Sequence, residues 1–320
     1  MSRYLIQQQI FIEQQESSVR LDQCLAKKLP DFSRSKIQSW IKLGYIVLNG
    51  VVCVPKQKLY FGDQVDINIP LEKKIEDKAE DIQFEIVYQD DSIFVINKPV
   101  GLVVHPAAGH QSGTLLNGLL AIDKNLEQLP RAGIVHRLDK DTSGIMVVAR
   151  TLKAHFFLVD QLQQRLVKRE YRAITQGVLT AGRTVEQPLG RHPKERKKMA
   201  VVADGKEAVT HFSVRKRYRD YTDIDVRLET GRTHQIRVHM AFLRYPLLGD
   251  QLYGGRLSLP KGITDELSEY LKQFKRQALH AENLSFTHPE TLEWVSYHAP
   301  MPEDMVNLLS LIEQSDASQA

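Results

Sequence analysis

Gly133-Ile134-Val135-His136-Arg137-Leu138-Asp139-Lys140-Asp141-Thr142-Ser143-Gly144 sets a polar, charge-rich run between two apolar stretches, Ile134-Val135 and Ile145 to Ala149. Short apolar runs bounded by glycine read as strands of a buried sheet. The polar residues between them then form a loop held by rigid neighbours, which is where catalytic groups tend to sit. Asp139 is the carboxylate of interest. With Arg137 and Lys140 beside it, the same cluster also reads, on charge alone, as a group of surface ion pairs.

Outward from this loop, strand-like and helix-like stretches alternate over residues 82–314. Strands are expected at Glu85 to Tyr88 and Ile93 to Ile96, around a turn at Gln89 to Ser92. Further strands are expected at Tyr171 to Gly177, His211 to Arg217, Thr222 to Glu229 and Ala278 to Ser285. Helical spacing favours Thr114 to Leu120, Ala154 to Leu166, Gln235 to Leu243 and Leu267 to Phe274. Hairpin-linked strands outnumber strand-helix-strand crossovers, so the fold class is α+β with a mixed, largely antiparallel sheet. The small polar tail, Ser315 to Ala320, is expected to fray.

Residues 17–70 form a separate small α/β unit in this reading. Leu21, Leu25 and Leu29 recur at helical spacing until Pro30, and Ser33 or Ser35 can cap a second helix bearing Ile37, Trp40 and Ile41. Asn49-Gly50 between two apolar runs is a tight-hairpin signal, and Gln64 to Ile69 is another strand. Arg34, Lys36 and Lys42 lie on or beside the second helix, which makes that helix a candidate RNA-binding surface. Residues 71–81 are charged and nearly without large apolar groups, as a linker would be.

The chain has 320 residues, 42% hydrophobic and 26% charged, close to the soluble globular average and large enough for two domains. It lacks a long apolar run, and its N-terminal residues are rich in Gln and Glu, so neither a membrane span nor a signal peptide is expected and a cytoplasmic protein is. Cys24 and Cys53 are too few for a disulfide scaffold or a cysteine-rich zinc site. The net charge of +4 is mild for a nucleic-acid binder, but the positive residues collect in 34–42, 165–172 and 191–198. Arg196, Lys197 and Lys198 in the last of these are candidates for contact with a phosphate backbone.

The run His136 to Gly144 resembles the signature of the RluA-type pseudouridine synthases. The likeness continues in order along the chain, through Ile96-Asn97-Lys98-Pro99, Gly101 to Pro106, Lys168-Arg169-Glu170-Tyr171 and Thr230 to His239. Gly249-Asp250, Tyr253-Gly254-Gly255 and Gln277 to Ala281 complete it. The N-terminal unit is similar to the RNA-binding module named after ribosomal protein S-four. Within the family, the combination is most similar to the branch acting on large-subunit (23S) ribosomal RNA.

That resemblance implies a pseudouridine synthase fold and conversion of uridine to pseudouridine, with neither metal nor nucleotide cofactor. It implies Asp139 as the catalytic carboxylate, Arg237 as its cation, and Tyr171 as the aromatic that stacks on a flipped base and helps move the proton from its carbon 5. A carboxylate in a desolvated pocket needs such a fixed cation to stay ionised. Ile236 is expected to line the same pocket, and Arg137 to fill the gap left by the extruded nucleotide. The implied partner is 23S ribosomal RNA or a precursor of the large subunit, with no membrane and no obligate protein partner. Transfer RNA or another ribosomal site as substrate, and a non-catalytic assembly factor, stay open at this point. The scattered histidines, His105, His110, His136, His234 and His239, have no spacing with Cys or carboxylates that suits zinc.

Overall fold

The computed structural model describes residues 4–29, 32, 34–70, 78–106, 111–195 and 197–318. They divide into two units, Met1–Glu76 and Asp77–Ala320.

The first unit contains β1 (Tyr4–Phe11), α1 (Leu21–Lys28), α2 (Arg34–Lys42), β2 (Ile46–Leu48), β3 (Val51–Val52) and β4 (Gln64–Pro70). Its antiparallel sheet has the order β1-β4-β2-β3. Asn49 and Gly50, both at positive φ, turn the chain between β2 and β3. Leu21, Leu25, Ile37, Trp40 and Ile41 close over Ile46, Val65 and Ile67 in one core. The unit begins earlier than the expected residue 17, because Tyr4–Phe11 pairs along the whole of β4. Gln7, Gln8 and Gln9 are all exposed on this edge strand, so no alternation marks it, although Ile10 and Ile12 are buried. Of the expected linker, residues 71–77 lie outside the described residues; Lys78 and Glu80 bond to Asn117 of the second unit.

The second unit contains β5 (Glu85–Gln89), β6 (Ile93–Lys98), α3 (Leu115–Ile122), β7 (Ser143–Ala149), α4 (Leu152–Gln163) and β8 (Lys168–Gln176). There follow β9 (Arg183–Glu186), β10 (Leu189–Arg191), β11 (Met199–Val201), β12 (Val209–Arg217), β13 (Tyr221–Leu228) and α5 (Gln235–Phe242). The chain closes with α6 (Asp265–Gln273), β14 (Leu279–Thr287), β15 (Trp294–His298) and α7 (Glu303–Ala317). Nine strands form one sheet in the order β5-β6-β7-β14-β8-β13-β12-β9, with β15 also on β14. Only β7 with β14 is parallel, so the expected mixed, largely antiparallel α+β architecture is what the chain adopts.

Strands β6 and β7 are continuous apolar runs because the sheet is covered on both faces. Phe94, Ile96, Met146 and Val148 pack with Leu115 and Leu119 of α3 and Met240 of α5. Their neighbours Ile93, Val95, Ile145 and Val147 face Ala154 and Leu158 of α4. Each such side chain contributes about 1.5–3 kcal/mol on burial. Leu267 and Leu271 of α6 and Met305, Leu308 and Ile312 of α7 form a further cluster.

The register places the site. Strand β14 meets β7 only at His280–Ser143 and Ala281–Gly144, and from Asn283 onward the same edge pairs with β15. Gly144 has φ +117, and a Cβ there would stand 2.2 Å from Ala281 O, so glycine is required for the close approach. Gly144, Ala281, Tyr171 and Val226 form one row across four strands. The end of the 137–142 loop is thereby set beside Tyr171.

Two further expectations are corrected. The C-terminal tail continues α7 to Ala317, with Ser315 buried and its hydroxyl accepting from Thr264 N at 3.2 Å. Ile134-Val135 is no strand: a single bridge joins Ile134 to Val148, after Arg131, Ala132 and Gly133 turn the chain at positive φ. Among the described residues no helix is long and apolar enough to cross a membrane.

Candidate active site

The loop 137–142 is fixed from beneath. Lys98, fully buried, donates from Nζ to the carbonyls of Pro99 at 2.8 Å, Leu102 at 3.0 Å and Lys140 at 3.0 Å. Burial pulls its ammonium down to about 7, with Asp141 and Asp139 opposing. Only the protonated amine has three hydrogens for three carbonyls. Gly101 N also donates to Lys140 O at 3.0 Å, and Thr142 N closes the turn onto Asp139 O at 3.1 Å.

The Asp139 carboxylate accepts from Arg237 Nη1 at 3.0 Å. Arg237 projects from the first turns of α5, and its Nε and Nη2 donate to Asp250 at 2.7 and 2.9 Å. Burial works against the Arg237 charge; the two carboxylates more than reverse it. Burial likewise opposes ionisation of Asp250, but Arg237 and the N–H groups of Tyr253 and Leu252 hold its carboxyl below the usual range. Such a bidentate fork fixes direction as well as charge.

Tyr253 and His234 complete this wall. The Arg237 guanidinium lies 5.0 Å over the Tyr253 ring. The Tyr253 hydroxyl accepts from Met199 N at 2.9 Å and lies 2.8 Å from His234 Nδ1. Assigning the hydroxyl proton to Nδ1 leaves His234 Nε2–H facing Asp139 Oδ1, 3.9 Å away. Burial lowers His234, which favours that neutral form. His234 sits at φ 57, a left-handed position that costs energy for a non-glycine residue.

Asp139, Tyr171, Arg237, Ile236 and Arg137 all line one cleft of about 700 Å³ within the second unit. Tyr171 and Ile236 are buried in its wall and Arg137 is exposed. Burial raises the Tyr171 phenol, keeping it protonated.

The family model described as RNA pseudouridylate synthase matches residues 92–242, and the S4 domain model matches residues 19–65. The ribosomal large subunit pseudouridine synthase D of Xanthomonas campestris pv. campestris is 52% identical over 301 residues, covering 94% of this chain and 91% of that protein. The chain belongs to the RluA family of pseudouridine synthases. The Xylella fastidiosa protein of the same name is 52% identical over 298 residues, 93% of this synthase and 90% of that protein. Among solved structures, human RNA pseudouridylate synthase domain containing 4 aligns with a TM-score of 0.56 at 27% identity, covering 72% of this synthase and 93% of that chain.

The basic candidates of this RluA-family synthase are placed elsewhere. Arg34 donates to the buried Asp22 at 2.9 Å, a carboxylate it shares with Arg20 and Gln38, so part of its charge serves the fold. Lys42 is exposed at the end of α2; the side chain of Lys36 and all of Arg196 lie outside the described residues. Lys197 is exposed in the loop joining β10 to β11, and Lys198 pairs with Glu195 at 2.8 Å. The cluster 165–172 is largely committed: Arg165 pairs with Glu207, Arg172 with Asp223, and Arg169 is buried, while Lys168 is exposed over the Trp294 ring.

Asp250, Tyr253, His234 and Arg169 carry no role in the sequence reading of this synthase. The signal for Arg169 is present in Lys168-Arg169-Glu170-Tyr171, where strand alternation places it on the face of Tyr171. Nothing local announces that Asp250 and Arg237 meet.

Proposed function

We propose that this synthase isomerises uridines of large-subunit (23S) ribosomal RNA during ribosome maturation, with Asp139 as the carboxylate that opens the glycosidic bond. The observation that carries the role of Asp139 is its 3.0 Å bond to an arginine whose other edge is locked on a second, buried carboxylate. The ribosomal substrate is supported by the names of relatives 52% identical across nearly the whole chain and by the N-terminal S4 match.

The target uridine leaves its stack to enter the cleft. Tyr171 stacks on the base, Ile236 closes the pocket, and Arg137 occupies the vacated position in the RNA. Asp139 either attacks the ribose C1′ or takes the 2′ proton to give a glycal. In both routes the C1′–N1 bond breaks and its electron pair leaves with uracil. The base then turns and C5 bonds to C1′ as the Asp139–C1′ bond breaks or, in the glycal route, as Asp139 returns the proton to C2′; the C5 proton then departs, relayed through the Tyr171 phenol, and N1 gains a proton. Arg34, Lys36, Lys42, Arg196, Lys197 and Lys198 supply backbone contacts outside the cleft.

Pseudouridine mapping by carbodiimide-dependent reverse-transcription stops, in cells with and without this gene, tests the substrate. Loss of stops in 23S RNA is expected, restored by the wild type and not by Asp139→Asn. Loss only in transfer RNA would refute the ribosomal target, and restoration by Asp139→Asn the role of Asp139.

A further inference from the structure

Among the described residues, Arg169 is a buried cation without a carboxylate. It sits on β8 two residues before Tyr171, on the same face, and both line the cleft. Its residue is 7% exposed, Nη2 donates to Glu229 O at 2.8 Å, and the buried Nε has no hydrogen-bond partner among the described residues. No Asp or Glu side chain among the described residues forms an ion pair with it, and a second cation, Arg232, acts against its charge. Gly231 leaves the room it occupies: a Cβ there would stand 2.6 Å from Arg169 Nη1. An unpaired buried charge lowers stability, and such exceptions to the rules of folding concentrate at functional sites.

We infer that Arg169 forms an anion subsite for the detached uracil, stabilising the negative charge its ring carries once the C1′–N1 bond has opened. The electron pair of that bond goes to the base and spreads over N1, O2 and O4. When C5 bonds to C1′, its proton leaves and N1 takes one up, the charge is gone. A fixed cation there favours the charged stage over the bound substrate, which is the condition for speeding the reaction. A phosphodiester fits the position less well. It stays joined to RNA on both sides, near the cleft mouth and the exposed Arg137 and Arg131, whereas Arg169 lies in the wall beside the base-stacking tyrosine.

The test is single-turnover rearrangement by Arg169→Met on one target RNA carrying either uridine or 5-fluorouridine, read by nuclease digestion and chromatography as loss of the N-linked nucleoside, because the fluorinated ring has no C5 proton to shed once C5 bonds to C1′. Fluorine at C5 acidifies the base and stabilises its anion without help from the protein. On uridine RNA the rate is expected to fall about 100-fold, the size typical of a lost oxyanion donor. On 5-fluorouridine RNA the loss shrinks to about tenfold, while RNA affinity and its salt dependence stay within about threefold. Arg169→Lys recovers part of the rate. Gly231→Ala, whose added methyl meets only the Arg169 guanidinium, gives the same pattern and carries the test if Arg169→Met fails to fold. Equal losses on the two RNAs overturn the inference, and a loss confined to affinity with a flatter salt slope makes Arg169 a phosphate contact instead. The inference rests on the reaction proposed above: an active Arg169→Met beside an inactive Asp139→Asn rejects it alone, whereas an active Asp139→Asn rejects that reaction.

Discussion

Asp250 grips Arg237 through two bonds of 2.7 and 2.9 Å along the Nε–Nη2 edge, which leaves Nη1 aimed at Asp139. The buried carboxylate thus acts as the anchor and the cleft carboxylate as the cargo. Arg237→Lys keeps the charge but cannot span both groups. A fall of about 100-fold in kcat is expected, with the RNA dissociation constant little changed. Asp250→Ala leaves a buried arginine half-paired and should cost about 3–5 kcal/mol in urea unfolding. An unaltered midpoint would remove Asp250 from its anchoring position.

Lys98 ties the loop bearing Asp139 to the segment 99–102 through three carbonyls. Lys98→Met fills the space and strands those acceptors, although Lys140 O keeps the Gly101 bond. A loss on the order of 3 kcal/mol is expected, since each buried orphan costs about 1–3 kcal/mol. Amide exchange should quicken at Thr142 ahead of strands elsewhere. Uniform quickening across the second unit would show that the loop has no special dependence on Lys98.

Acid should unfold the protein through its histidines first. Burial lowers His234, His239 and His280, and burial with the Arg169 charge takes His136 to about 3, where its Nε2 accepts from Val147 N. Each binds fewer protons folded than unfolded, so stability is complete above the usual 6.5 and falls as the pH drops below it. His136 contributes up to about 1.4 kcal/mol per pH unit in that window. Asp250, held low when folded, adds to the loss only below the ordinary carboxylate range. Urea midpoints near pH 7.5 and pH 5 check this, with His136→Gln expected to reduce the difference. A midpoint that rises on acidification would contradict it.

Lys197 and Lys198 differ in what they can give to RNA. Lys197 is exposed, whereas Lys198 already has Glu195 as a partner at 2.8 Å. Lys197→Gln should lower the slope of log affinity against log salt by about 0.7–0.9, the value for one phosphate contact, and Lys198→Gln by less. Filter binding over a salt series measures both. Identical slopes in all three proteins would make the loop a bystander.

The legible part of the fold was its two-faced strands and its hairpins. Ile93 to Ile96 and Ile145 to Ala149 announce a sheet covered on both sides, and Asn49-Gly50 announces its turn. Tyr4–Phe11 was hidden because an edge strand can show its glutamines to solvent. Helix α7 has its signals in place, Glu303 and Asp304 in the first turn after Pro302, then Met305, Leu308, Leu309 and Ile312 at helical spacing, although the short polar tail that follows reads as fraying. At the site, ordered motifs bring Asp139, Tyr171, Arg237, Ile236 and Arg137 to one cleft. The pairing of Arg237 with Asp250 and the solitary charge of Arg169 depend on which strands end up adjacent. Local spacing does not encode that.

Strand order also dictates when the cleft can exist. Gly144 and Tyr171 are neighbours of Ala281, not of each other, so the row that sets the loop beside the tyrosine waits for a strand synthesised after Asp139, Tyr171 and Arg237. A nascent polypeptide that has made Asp139, Tyr171 and Arg237 but not β14 carries the proposed catalytic residues without the row that sets the loop beside the tyrosine. In that proposal, competence waits on the closing of the sheet.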